Sequence, residues 1–341
     1  MEDDNPFRCW VCGAVIYGSR DHILASGRSV PQTLAWRTRC SIEDFNKIVF
    51  TNKEVWGTFI RAIIVTLDEN RHDVYQLSGI AQNTYCIRII VPKDRNLAVL
   101  GYPRLGGRGC KFVGIKPTVN AVGYPRAHMI HARCWELIER LFGCEAEKNL
   151  KILLNIFQER WCGWKGNPDG SPRYDFLRED ILWQRNKSIV FYDPVKILPL
   201  RAVVEESVQR PTREKVAYKA MELHPIFFDI KNTAISNIFP CEIQWMIMDL
   251  LDYKNIPKIL RAFGWVLSDT YWSRRFPKDL VFEVDDLMSN QIEIDWQFLT
   301  LGVEKLLHRS PELLNRRRLL TVLKKARDLF FEEVAKSTAS E

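Results

Sequence analysis

Cysteine and histidine are the residues in this chain whose spacing could do chemistry. Cys9 and Cys12 stand in the run Cys9-Trp10-Val11-Cys12-Gly13, a Cys-x-x-Cys step that lets one tight turn present two thiolates to the same ion. Gly13 tolerates the unusual backbone angles that such a turn needs. A second pair, His131 and Cys134, lies three residues apart near the start of an expected helix, so both side chains can point one way. The positive end of a helix also favours a thiolate there. Together the four make a Cys3His set, the donor composition of a closed, tetrahedral, structural zinc site. Such a site keeps no position for a water molecule and would not be hydrolytic. Spacing alone does not bring the two pairs together, and the alternative is a set of reduced core thiols with a helix-capping histidine. His128, one turn before His131, is a substitute ligand, and Cys110 and Cys144 are weaker competitors.

The elements that must position these residues read as an α+β fold. Residues 54–67 are rich in β-branched and aromatic types and contain an expected strand, with a second at 85–91 and a third at 188–192. Residues 128–142 place Ile130, Cys134, Leu137, Ile138 and Leu141 on one side of an expected helix, and 311–334 read as a long helix. Five glycines and a proline make 101–114 a turn-rich loop, and Asn167-Pro168-Asp169-Gly170 within 163–173 is the clearest break. The chain divides accordingly into a mixed, zinc-supported domain over 1–165, a middle segment or linker over 166–232, a helical motif over 233–277 and a helical C-terminal region over 278–341.

The 341 residues suffice for a full core, and 46% hydrophobic content with 11 tryptophans describes a folded protein. The 49 basic residues against 42 acidic leave a net charge of +7, too small an excess to specify a nucleic-acid partner. The acidic start MEDDNPFRCW lacks the basic and apolar regions of a secretory signal, and no apolar run reaches the length of a membrane span. Nine cysteines, an odd number scattered over a long chain, fit a reducing compartment, so the expectation is an intracellular protein of the cytosol or nucleus. No repeat of solenoid or propeller length is present. The glycines of 101–111 lack the Gly-Lys-Ser/Thr ending of a phosphate-cradling loop, and no Cys/His pair beyond the metal candidates is marked for nucleophilic catalysis, so no enzyme activity is expected.

Residues 238–276 read as three short helices. Pro240 suits a helix start and Glu242 the positive end of the dipole. Ile243, Met246, Ile247, Leu250 and Leu251 then recur at helical spacing as one apolar stripe. Pro257 opens a second helix carrying Ile259, Leu260, Phe263 and Leu267, and Ser268 and Asp269 cap a third that carries Trp272 and Phe276 and stops at Pro277. Helices this short are not stable alone and must pack on one another or on a partner.

This segment resembles the F-box. The positions that carry the resemblance are Phe239-Pro240, Glu242-Ile243, Ile247, Leu250, Leu251, Asn255-Ile256, Leu260 and Trp272; Phe239 stands where the family has Leu, and Asn255-Ile256 where it has Asp-Leu. The resemblance implies docking on the Skp adaptor of a cullin-type (SCF-like) ubiquitin ligase, with Phe239, Pro240, Glu242, Ile243, Ile247, Leu250, Leu251, Ile256, Leu260 and Trp272 as the adaptor-binding set and an unknown protein substrate recruited elsewhere on the chain. An N-terminal Cys-x-x-Cys-Gly, the run His131 to Trp135, the C-terminal box, Phe282-Glu283 and Trp296 together look like a group of fungal F-box proteins. The alternative function is a zinc-stabilised protein that binds another protein or nucleic acid, with no ubiquitin role. It draws on a basic stripe of Arg316, Arg317, Arg318, Lys324, Lys325 and Arg327, opposite Leu313, Leu319, Leu320, Leu323 and Phe330 on one helix. Acidic neighbours flank that stripe, which favours a solvated outer face over a nucleic-acid surface.

Overall fold

Residues 59–65 are apolar at six of seven positions, and no face of a strand with that composition can meet water. They form the first seven residues of β2 (Phe59–Leu67), and all seven are buried. In the computed structural model, which describes residues 8–16, 38–50, 55–83, 89–100, 111–115, 125–162, 187–210 and 239–339, this strand is the centre of a mixed six-stranded sheet. The other strands are β1 (Thr38–Ser41), β3 (Asp73–Leu77), β4 (Ile80–Gln82), β6 (Leu97–Leu100) and β8 (Arg126–His131). β2 runs antiparallel to β3, β4 and β8, and its register with β8 sets Ile60 opposite His131. β4 pairs with β6 in parallel. A separate two-stranded sheet joins β5 (Ile89–Pro92) to β7 (Phe112–Ile115). Short helix α1 (Ile42–Lys47) is capped by Ser41, whose hydroxyl accepts from the Asp44 N–H at 3.0 Å.

α2 (Ala132–Phe142) follows β8 directly and ends at Gly143, whose φ of 65° is a backbone angle that glycine adopts without a Cβ clash. The helix therefore starts four residues later than the periodicity of 128–142 predicts, because His128 to His131 pair with β2 as a strand. Short α3 (Glu145–Lys148) and then α4 (Leu150–Cys162) continue the chain. Residues 188–192 correct the sequence reading in another way: Lys187–Phe191 form a 3-10 helix and not a strand. Ile189 and Val190 are buried there, so the apolar run fills a core position without joining a ladder. The loop at 101–110, the break at 163–173, the middle segment over 211–232, residues 85–88 of the second expected strand, and Cys110 lie outside the described residues.

The chain forms two compact units, one of Met1–Lys196 with Leu314–Glu341 and one of Ile197–Leu313. These boundaries differ from the sequence divisions at 166, 233 and 278. In the first unit Phe45, Phe59, Ile80, Ala98, Leu100 and Ala132 make one core cluster, and the buried Arg133 guanidinium lies 5.2 Å from the Phe45 ring centre. Arg61, buried on β2, is offset by Glu139 at 3.1 Å and by the Arg95 carbonyl at 2.5 Å. The second unit is helical: α5 (Leu198–Gln209), α6 (Cys241–Asp249), α7 (Ile256–Phe263), α8 (Asp269–Arg275), α9 (Asp285–Ser289) and α10 (Trp296–Leu307). Last comes α11 (Pro311–Ala339), five residues longer at its end than predicted, of which Leu314 onward belongs to the first unit. Sheet and helices together make an α+β protein. Among the described residues no helix is long and apolar enough to cross a membrane.

Candidate metal centre and helical docking face

Cys9 and Cys12 sit at the tip of a tight hairpin closed by a bridge between Arg8 and Val15. The Cys9 N–H donates to the Ala14 carbonyl and the Gly13 N–H to the Cys9 carbonyl, both at 2.9 Å, while Gly13 adopts a φ of 70°. That conformation folds the loop tightly enough for both thiols to face inward. The Trp10 N–H donates to the Met129 carbonyl at 2.9 Å, hooking the hairpin onto β8. β8 carries His131 to its end, and the first turn of α2 carries Cys134. Their ligand atoms and those of Cys9 and Cys12 lie within 4.8 Å of one another, and all four residues are buried.

A tetrahedral ion with sulfur ligands at about 2.3 Å needs ligand atoms about 3.8 Å apart. The Cys12 Sγ to His131 Nδ1 separation of 3.3 Å, inside a group no wider than 4.8 Å, is compatible with closure around one ion. The four sequence-predicted ligands thus come together as a group that can hold a metal. His128 does not join them: it meets the Trp10 ring edge-on, with centres 4.5 Å apart. Cys144 is exposed beyond the far end of α2. With four protein donors around it, a tetrahedral ion would have no coordination position left for substrate or water.

The electrostatics follow from burial and crowding. Burial alone would push the Cys12 thiol up, but hydrogen bonds from Cys134 and Cys9 and the charge of His131 outweigh it and hold Cys12 well below its ordinary value. Burial would push His131 down, yet the charges of Cys9 and Cys12 raise it to about 10. Burial, with Cys12 and Cys9 adding to it, pushes Cys134 well up. Without an ion, these shifts favour the ionised form of Cys12 and the protonated form of His131.

Two neighbours escaped the sequence reading. His131 points its Nε2 at no hydrogen-bond acceptor among the described residues; instead the ring meets Trp56 edge-on at 4.9 Å. Trp56 is itself fixed by donating Nε1 to the Phe191 carbonyl at 2.9 Å. The usual carboxylate or carbonyl behind a ligating histidine is replaced here by an aromatic wall. Arg318 donates Nη1 to the Cys12 carbonyl at 3.3 Å. Arg318 and Arg316 are buried and donate inward, so the basic stripe of α11 is not one outward face. Nothing in the spacing marked them, because an outward and an inward arginine look alike in a basic run.

In the second unit the three helices predicted over 238–276 are present as α6, α7 and α8. Met248, Ile256, Leu260, Trp265, Leu267, Tyr271 and Trp272 form their core, with Ile247 and Leu251 packed against it. Of the expected adaptor-binding set, Ile256, Leu260 and Trp272 are thus buried in the unit's own core. The Arg275 guanidinium donates to the Met248 and Leu251 carbonyls at 2.7 and 3.0 Å and pairs with Glu304 at 2.6 Å, capping the end of α6. The predicted single stripe on α6 is split. Phe239, Ile243, Met246 and Leu250 instead make an outward row, with 37%, 38%, 63% and 88% of their surfaces exposed. Steps of three and four residues keep Ile243, Met246 and Leu250 on one face of α6, while Phe239 precedes the helix and meets the Trp265 ring edge-on with centres 6.1 Å apart. Pro240 and Glu242 are exposed beside that row at the start of the helix. No family model matches this chain, and no curated protein or solved structure does either.

Proposed function

We propose that this chain is a substrate-recruiting subunit of a cullin-type ubiquitin ligase that docks on a Skp adaptor through α6 to α8. The observation that carries this reading is the outward apolar row of Ile243, Met246 and Leu250 on α6, with Phe239 exposed just before it, on a helix that also gives Met248 and Ile247 to the unit's own core. Large apolar side chains aligned on an exposed helical face are the anchors of helix-to-helix recognition. The first unit, in this reading, is the substrate reader, and the ligase chemistry belongs to other subunits, so the chain supplies proximity and needs no catalytic residue. Zinc is the proposed ion for the Cys3His group, since three thiolates and an imidazole suit it and disfavour hard cations. The proposed compartment is the cytosol or nucleus, where thiols stay reduced.

The test is co-purification with a Skp adaptor, wild type beside Ile243→Lys. The mutation sets an unpaired charge into an apolar contact, so binding is lost while the melting behaviour is unchanged. Binding retained by a folded Ile243→Lys protein removes Ile243 as an anchor. Absence of binding by folded wild type removes the adaptor reading altogether.

A further inference from the structure

The peptide unit joining Cys12 to Gly13 is held at both ends. Its N–H donates to the Cys9 carbonyl at 2.9 Å, and its carbonyl accepts from Arg318 at 3.3 Å. The plane of that peptide sets both the left-handed turn at Gly13 and the direction of the Cys12 side chain. Arg318 comes from α11, 306 residues away in sequence. Its Nε and Nη2 fork onto Asn315 Oδ1 at 3.2 and 3.1 Å, and Asn315 in turn donates to the Tyr192 carbonyl at 2.8 Å. The guanidinium is thereby locked, and Nη1 is aimed at the hairpin.

Resting on the reading of the four residues as a metal centre, we infer that Arg318 is its positioning residue and couples occupancy of the centre to docking of the C-terminal helix. The coupling is reciprocal by thermodynamic necessity: a bound ion fixes the Cys12 carbonyl that Arg318 needs, and the docked helix fixes the Cys12 peptide that the ion needs. Arg316 provides the internal comparison. It is buried on the same helix and donates to the Pro194 and Val195 carbonyls at 2.7 Å each, neither of which belongs to the hairpin.

The experiment follows transfer of zinc from the loaded full-length chain to a colorimetric chelator, with the cobalt(II)-loaded protein giving the ligand-field spectrum. Arg318→Met is expected to speed transfer by about 10- to 100-fold, the range for loss of a residue that orients a metal ligand. It should also shift the cobalt bands, and Arg318→Lys, which keeps one donor, should fall between it and wild type. Arg316→Met is expected to change neither readout. Where Arg318→Met does not fold, Arg318→Lys against Arg316→Lys answers the same question. Equal transfer rates in the two members of either pair overturn the inference and leave the metal centre standing. A folded wild type that takes up neither metal overturns the metal centre itself, and the inference with it.

Discussion

Removing the ion should lower the melting temperature of the first unit by about 8–16 °C and leave the second unit unaffected. The four ligands come from the 8–16 hairpin, the end of β8 and the first turn of α2, so an ion links three elements that meet only in the folded state. An ion that binds only the folded state at about a thousand times its dissociation constant stabilises it by about 4 kcal/mol. In a unit of roughly 220 residues each kcal/mol moves the midpoint by about 2–4 °C. The assay is calorimetry of the full chain with and without a chelator, with metal content measured on the same samples. Cys134→Ser should reproduce the shift, whereas Cys144→Ser, at an exposed thiol outside the group, should not. Coincident melts of the loaded and stripped protein would refute the argument that the group joins these elements through an ion.

Metal uptake should release protons at pH 7. The metal-free His131 carries its proton up to about 10 and the Cys134 thiol is held well above its ordinary value, so an ion must displace both protons. The sign follows from the raised folded value of His131. Its protonated form contributes stability to the metal-free protein that is fully present below about 6.5 and lost as pH rises through about 10. The ion competes with that proton, so loading tightens as pH rises. Titration calorimetry in two buffers of different ionisation enthalpy reads the release, and buffer-independent heats would contradict it. Leu250→Ala should weaken adaptor binding by about 30-fold, from about 2 kcal/mol of lost burial, without moving the melt. Trp272→Ala should cost about 3–5 kcal/mol of stability in the second unit and lose binding only through unfolding. Gly302→Ala should destabilise α10 although alanine is the better helix former: the new Cβ would lie 2.6 Å from Val203 Cγ1 on α5. Overpacking of about 1–3 kcal/mol exceeds the propensity gain of about 1 kcal/mol. Combining it with Val203→Ala should relieve the clash, and a strictly additive double mutant would argue against it.

The sequence by itself determined what depends on short-range spacing. A Cys-x-x-Cys step followed by glycine dictates a turn that presents two thiols, and His131 and Cys134 three residues apart share one side of a helix start. Proline and serine placed the starts of the three short helices of the second unit within a residue, although the second ends at Phe263 and leaves Leu267 outside it. Periodicity carries that information because neighbours in sequence are neighbours in space at this range. Only the tertiary structure decided that the two ligand pairs converge, since the β2 to β8 register brings His131 to the hairpin and nothing within either pair encodes that register. Pairing with β2 also turned residues 128–131 from helix into strand, and core packing turned 188–192 from strand into a 3-10 helix. The same limit applies to direction. A helix apolar on more than one side does not say which side is inward, and the split on α6 between Met248 and the row of Ile243, Met246 and Leu250 is set by what α7 and α8 cover. Arg318 is the furthest case: its partner lies 306 residues away, and a buried arginine is chosen by the carbonyl it meets, which a local pattern cannot contain.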